Sequence, residues 1–262
     1  MKFCRFLPSP DGGARQLEPA YGILNGDRIQ EISGVPWGQW SEGKRLLRLK
    51  DVRLLAPCEP GKIVCVGRNY AAHAAELGNP MPKEPLIFLK PSSSIIGPEE
   101  TIVLPQYSNR VEHEGELAVV IGKKCAHLPD DADALALVLG FTCLNDVTAR
   151  DLQKADGQFT RAKGFDTFCP VGPCIETELD ARDVLVECRV NGQVRQSGST
   201  ALMAYPVDFL VRWISRVMTL LPGDLIATGT PAGVGPLNAN DVVEVSAAGV
   251  GILRNPVHAT AS

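Results

Sequence analysis

Along most of the chain the apolar residues come in short runs rich in valine and isoleucine and closed by glycine or proline. That pattern predicts strands. Buried strands are predicted at Lys62 to Gly67 and Gly140 to Leu144, and further strands at Leu86 to Leu89, Val52 to Leu55, Leu225 to Ala227, Asp241 to Val245 and Gly251 to Leu253. Two hairpins stand out. Tyr21 to Leu24 and Arg28 to Ile32 flank Asn25-Gly26-Asp27, and Val184 to Val190 and Val194 to Ser197 flank Asn191-Gly192, the signature of a type I′ turn. Helical spacing is rarer. Val207, Leu210, Val211, Ile214, Val217 and Met218 predict a core-packed helix within 205–221. An alanine-rich segment from Tyr70 to Leu77 predicts a short helix stopped by Gly78. Further helices are expected over 130–139, where early aspartates suit the dipole, and from Asn145 to Lys154, with Asn145 or Asp146 as a possible cap.

One strand breaks the apolar pattern. In Glu112-His113-Glu114-Gly115-Glu116-Leu117-Ala118-Val119-Val120-Ile121-Gly122, Glu114 and Glu116 fall on the face of Ala118 and Val120, while His113, Leu117, Val119 and Ile121 take the other. Carboxylates on a face that turns apolar two residues later need a partner or a metal if buried. Gly115 between them lets something pack closely on the back of the backbone. A charged strand end emerging into solvent is the competing reading of this stretch alone.

The totals narrow the class. With 45% apolar and 21% charged residues the 262-residue chain is an ordinary globular protein. The prolines of Ala56-Pro57-Cys58-Glu59-Pro60-Gly61 suggest a linker between a small β-rich unit, residues 1–56, and a larger one, residues 57–262. A net charge of −4 gives no reason to expect nucleic acid or an anionic membrane as a partner. No run is long enough for a membrane span, and the N-terminus lacks the apolar core of a signal peptide. The eight cysteines form no C-x-x-C pair and read as reduced, mostly buried thiols of a cytoplasmic protein.

The candidate chemistry is carboxylate chemistry. Glu114, Glu116 and Asp146 make an all-oxygen set of the kind Mg²⁺ or Mn²⁺ prefers, and three protein ligands leave about half of an octahedral shell open. Lys163 would offset the excess negative charge. Zinc is not indicated, since no His/Cys cluster has suitable spacing. His73 and Glu76 share a helix face and could touch, the competing reading being an incidental polar pair on a surface helix; Arg150 and Gln153 also share a face. The glycine-rich segment Gly229 to Gly235 lacks the lysine of a P-loop, but can offer backbone N–H groups and the Thr230 hydroxyl to a carboxylate, or be an ordinary tight turn. There is no G-x-S-x-G elbow. Of four histidines, His113 is expected to pack or hydrogen-bond behind its strand, and His127 and His258 carry no signal.

Six motifs together resemble the fumarylacetoacetate hydrolase family. They are Gly67-Arg68-Asn69-Tyr70 with His73 and Glu76; Phe88-Leu89-Lys90-Pro91; His113-Glu114-Gly115-Glu116-Leu117; Asp146-Val147-Thr148-Ala149-Arg150-Asp151-Leu152-Gln153; Ala162-Lys163-Gly164-Phe165; and Thr228 to Gly235. The resemblance covers roughly residues 61–257 and implies an α+β, mainly β fold, a roll of stacked mixed sheets. It implies Mg²⁺, with Mn²⁺ or Ca²⁺ as alternatives, held by Glu114, Glu116 and Asp146. It implies substrate contacts from Arg68, Arg150, Gln153 and Thr230, a catalytic Lys163, and a lid helix bringing a His73–Glu76 pair that activates water. It also implies a homodimer acting on a small 2-oxo acid.

The leading reading is C–C hydrolysis of an acylpyruvate or a 2-hydroxyhepta-2,4-diene-1,7-dioate-type compound through an enolate. The alternative is an isomerase, tautomerase or decarboxylase of aromatic catabolism. Bifunctional members that carry the fold twice differ from this chain, which has one copy of each motif. A metal- or carboxylate-binding β protein without activity is the non-catalytic reading.

Overall fold

The computed structural model describes residues 1–8 and 18–260. Its fold is α+β and mainly β. The largest sheet runs in the order Trp40–Arg48, Arg28–Gly34, Ala20–Asn25, Lys2–Pro8, Cys169–Glu176, Val138–Asn145, Gly115–Ile121, Leu225–Ala227, Ile63–Gly67, Leu86–Lys90. Lys2 and Phe3 pair antiparallel with Glu176 and Ile175, so the N-terminal strands extend the central sheet. A second sheet contains Gln193–Ser199, Leu185–Val190, Val242–Ala247, Gly251–Ala259 and Ile102–Leu104. The sheets are mixed: Leu225–Ala227 runs parallel to Ile63–Gly67, and Ile102–Leu104 parallel to Gly251–Ala259.

The second sheet lies against the first where Gly115 has no side chain. A Cβ there would stand 3.0 Å from the Cys188 Cβ and 3.3 Å from Val245, which is the close packing expected behind the paired glutamates. Leu117, Val119 and Ile121 enter the main core, whereas Ala118 and Val120 enter a second one on the opposite face. Burial on both faces explains why this strand is continuously apolar rather than alternating. All eight cysteines are buried and unpaired.

Four α-helices are present among the described residues: α1 (Ala71–Glu76), α2 (Arg150–Asp156), α3 (Thr160–Lys163) and α4 (Val207–Val217). None is long and apolar enough to cross a membrane. The apolar stripe of α4 buries Val207, Leu210, Val211 and Ile214, but Val217, expected in the core, is 54% exposed. The left-handed Gly78, φ 67°, follows α1, as a helix-ending glycine should. At Asn191-Gly192 the φ values of 53° and 78° are those a type I′ turn requires.

Three local expectations fail. The 130–139 segment is not an α-helix but a single 3₁₀ turn, Ala134–Leu137, running into a strand at Val138. There the Leu137 carbonyl accepts the N–H groups of Gly122 and Lys123, so sheet registry overrides propensity. Neither Asn145 nor Asp146 caps a helix, because α2 begins only at Arg150 with Ala149 before it. Finally, residues 112–122 are not one strand. Val111–His113 pairs with Thr148–Ala149 and Gly235–Pro236 in a small separate sheet, and the chain changes sheets at Glu114.

Candidate active site

That change of sheet brings the carboxylates together. Glu114 and Glu116 leave the start of one strand, and Asp146 follows the strand beside it, since Gly115 pairs with Asn145. The Asp146 N–H donates to the Glu114 carbonyl at 2.9 Å, and the Glu114 N–H to Asn145 Oδ1 at 2.9 Å. One oxygen from each of Glu114, Glu116 and Asp146 lies within 4.8 Å of the others, and all three residues are buried.

Fixed cations surround the trio. Lys163, in the last turn of α3, donates to Glu114 Oε2 at 2.7 Å and Asp146 Oδ2 at 2.6 Å, with its ammonium 5.0 Å from the centre of the Phe88 ring. Lys90, fully buried at the end of its strand, donates to Asp146 Oδ1 at 2.6 Å and to the Val147 carbonyl at 3.2 Å. Arg150, opening α2, donates to Glu114 Oε1 at 2.6 Å, Glu112 Oε2 at 2.8 Å and Gln153 Oε1 at 2.7 Å. Arg110 holds the second Glu112 oxygen at 2.6 Å.

The electrostatics follow. Burial would raise the Glu114 carboxyl, but Lys163 and Arg150 hold it well below the usual range. Burial would lower the Lys163 ammonium, but Asp146 and Glu114 raise it to about 12. Glu116 differs. Among the described residues its hydrogen bond comes from the Gly229 N–H, 2.8 Å from Oε2, and it has no cation of its own. Burial, then Asp146, then Glu114 push its carboxyl well above the ordinary value. A buried all-carboxylate set with one uncompensated member is the donor chemistry that suits a hard divalent cation.

Glu112, Glu114, Glu116, Asp146, Arg150 and Lys163 face a cavity of about 530 Å³, lined also by Arg68, His73, Glu76, Lys154 and Phe159, with Lys90 behind it. His73 is buried on α1, its Nδ1 3.4 Å from Glu76 Oε2, and the Gly233 N–H reaches the Glu76 carboxylate at 3.0 Å. Arg150 and Gln153 touch, as their spacing suggested. Thr230 lines the cavity, but its hydroxyl proton is committed to the Gly115 carbonyl at 2.8 Å while the oxygen accepts from Gln196 Nε2 at 2.7 Å. A donor from this residue to a ligand must therefore be the backbone N–H. His113 turns away and meets Gln196 Oε1 at 2.9 Å, behind the strand as expected.

Sequence reasoning missed Lys90, Glu112 and Gln196 as parts of this assembly. Lys90 had a signal, a lysine closing an apolar strand. Glu112 stood in line with Glu114 and Glu116. Gln196 had none, being one polar residue in a polar hairpin.

The sequence model for the C-terminal domain of fumarylacetoacetate (FAA) hydrolase matches residues 62–258. The chain belongs to the fumarylacetoacetate hydrolase family. A second model, for an Rv2993c-like N-terminal domain, matches residues 1–57. As a member of the fumarylacetoacetate hydrolase family the protein is an enzyme. It is similar to a 5-carboxymethyl-2-hydroxymuconate delta-isomerase from Mycobacterium smegmatis, with 48% identity, TM-score 0.89 and coverage of 99% of this chain and 100% of that one. It is similar to a 2-hydroxyhepta-2,4-diene-1,7-dioate isomerase from Mycobacterium marinum, with 46% identity, TM-score 0.89 and full coverage of both chains. Among curated relatives, the human mitochondrial oxaloacetate tautomerase FAHD2A is 45% identical over 225 residues, 81% of this chain and 71% of that one.

Proposed function

We propose that the protein is a divalent-cation-dependent isomerase of a 2-oxo dicarboxylic acid that interconverts its enol and keto forms. The observation that carries this reading is the content of one cavity: a buried trio of carboxylates, a buried ammonium shared between two of them, and a single imidazole, that of His73. Glu114, Glu116 and Asp146 would hold Mg²⁺ or Mn²⁺, which when bound supplies positive charge for the substrate's 2-oxo oxygen. Lys163 has one N–H beyond those given to Glu114 and Asp146, and offers it to the same developing charge. His73 moves the proton at the adjacent carbon, accepting it from the keto form or returning it to the enol, and Glu76 orients the ring. Arg68 and Lys154 line the cavity with no ion-pair partner among the described residues, which suits a second carboxylate on the substrate. The isomerase and tautomerase names of the three relatives support the same reading.

C–C hydrolysis is the second reading, favoured by the anchored His73–Glu76 pair, since the same imidazole can take a proton from water. The test follows ultraviolet absorbance of enol-oxaloacetate and of a 2-hydroxymuconate homologue, with acetylpyruvate cleavage measured in parallel. Enol decay faster than the spontaneous rate with Mg²⁺ or Mn²⁺, and abolished by chelator, is expected. Cleavage without any acceleration of enol decay would replace the isomerase reading with the hydrolase one, and turnover of no 2-oxo acid would refute both.

A further inference from the structure

The loop Thr228 to Gly233 serves three parts of the site at once. The Gly229 N–H holds Glu116 at 2.8 Å, Thr230 closes on the Gly115 carbonyl, and the Gly233 N–H holds Glu76 on α1. The start of the loop is held at Thr228, whose N–H and hydroxyl donate to the Leu117 carbonyl and whose carbonyl accepts from Asn69 Nδ2 at 2.8 Å. From Thr230 onward the loop also rests on the second sheet, on the strand Gln193–Ser199.

We propose that Gln196 is a positioning residue that sets this loop, and through it the substrate site; this rests on the reading of the cavity given above. Gln196 is 1% exposed and its amide is fully used. Its Oε1 accepts from the His113 ring at 2.9 Å and the Gly115 N–H at 3.0 Å, while its Nε2 donates to Thr230 Oγ1 and the Pro231 carbonyl, each at 2.7 Å. A backbone N–H on one side and a backbone carbonyl on the other fix which end is oxygen. The acceptor half therefore grips the carboxylate strand and the donor half grips the loop.

The shape of the strand serves the same contact. Cys188 pairs with Gln196 but Arg189 with Val194, so Arg195 is bulged out of register, and a bulge re-aims neighbouring side chains. Gly233, φ 103°, rests on that bulge: a Cβ there would lie 2.1 Å from the Arg195 carbonyl oxygen. Gly198, two residues beyond Gln196 on the same face, leaves space for Pro231, whose Cβ would be 2.6 Å from a Cβ at 198. Two glycines and one amide thus clamp the loop to a strand that lines no part of the cavity.

Gln196→Glu separates the two halves. It keeps the acceptor that holds His113 and Gly115 and removes the donor that holds Thr230 and Pro231. The expected result is a KM for the 2-oxo acid raised about tenfold, the scale of a lost buried hydrogen bond. A residue that only stabilised the fold would lower the amount of active enzyme and leave KM alone. Hydrogen exchange gives a readout independent of turnover: the Gly229 and Gly233 amides should exchange faster in the variant, with amides of α4 unchanged. If Gln196→Glu does not fold, Gly198→Ala displaces Pro231 sterically without touching the amide, and the same rise in KM and in loop exchange is expected. A folded variant with wild-type KM and wild-type loop exchange overturns the proposal. Wild-type protein that turns over no 2-oxo acid refutes the function reading instead, and loop exchange then decides the role of Gln196 alone.

Discussion

Replacing Lys90 by methionine should destabilise the protein and at the same time strengthen its response to divalent cations. The side chain of Lys90 is 0% exposed, so methionine keeps most of the stem in place and removes the ammonium. Asp146 then loses a 2.6 Å ion pair but keeps Lys163 at 2.6 Å on its other oxygen. Removing one partner of a buried pair costs about 3–5 kcal/mol when the other is orphaned. With Lys163 retained, the cost should fall nearer a single charge-assisted hydrogen bond, about 2–3 kcal/mol. For a chain of this size that is a fall in Tm of roughly 5–10 °C in chelator.

The same substitution frees Asp146 Oδ1 and makes the trio one charge more negative. Divalent-cation affinity should rise, each tenfold gain returning about 1.4 kcal/mol at saturating cation. Scanning calorimetry in EDTA and in excess Mn²⁺ measures both effects. A Tm in EDTA equal to wild type would mean that the Lys90–Asp146 pair makes no net contribution. A cation-induced rise no larger than wild type would mean that Lys90 does not compete for that oxygen.

Glu116→Gln should abolish cation binding by calorimetry. It should also remove a pH dependence: with its carboxyl raised by burial, Asp146 and Glu114, folded Glu116 binds more protons than unfolded Glu116, so its contribution weakens stability as pH rises from about 4.5 upward. Metal-free wild type should lose stability over that range relative to Glu116→Gln, and parallel stability curves would refute the shift. His73→Gln should slow enol–keto exchange by about 10²–10⁴-fold with cation affinity unchanged, and wild-type rates would remove the imidazole from the mechanism. Gly192→Ala meets no atom within 4 Å but must adopt φ 78°; a cost of about 1–2 kcal/mol and a Tm lower by a few degrees are expected, and an unchanged Tm would show that the turn relaxes freely.

Local chemistry made much of this protein readable from its sequence. Asn191-Gly192 needs positive φ at both positions, so the hairpin was legible from two residues. Gly115 between the two glutamates marked the close packing behind the site, and the spacing of Glu114 and Glu116 marked them as a pair, although the change of sheet at Glu114 rather than strand alternation brings them together. The six motifs carried the family, and the carboxylate set with its offsetting cation was already readable as Glu114, Glu116, Asp146 and Lys163. What the sequence could not contain is the set of contacts made by distant segments. The 130–139 helix failed because Leu137 is held by Gly122 and Lys123, a sheet-edge constraint stronger than propensity. The break at Glu114 follows from two different sheets claiming its two flanks. Gln196 reaches the site across 81 residues from Gly115 and 34 from Thr230, and its amide gains meaning only once two sheets are stacked. Lys90 likewise becomes a counterion only where its strand end meets Asp146, since a lysine is buried only when the fold has first buried a carboxylate beside it.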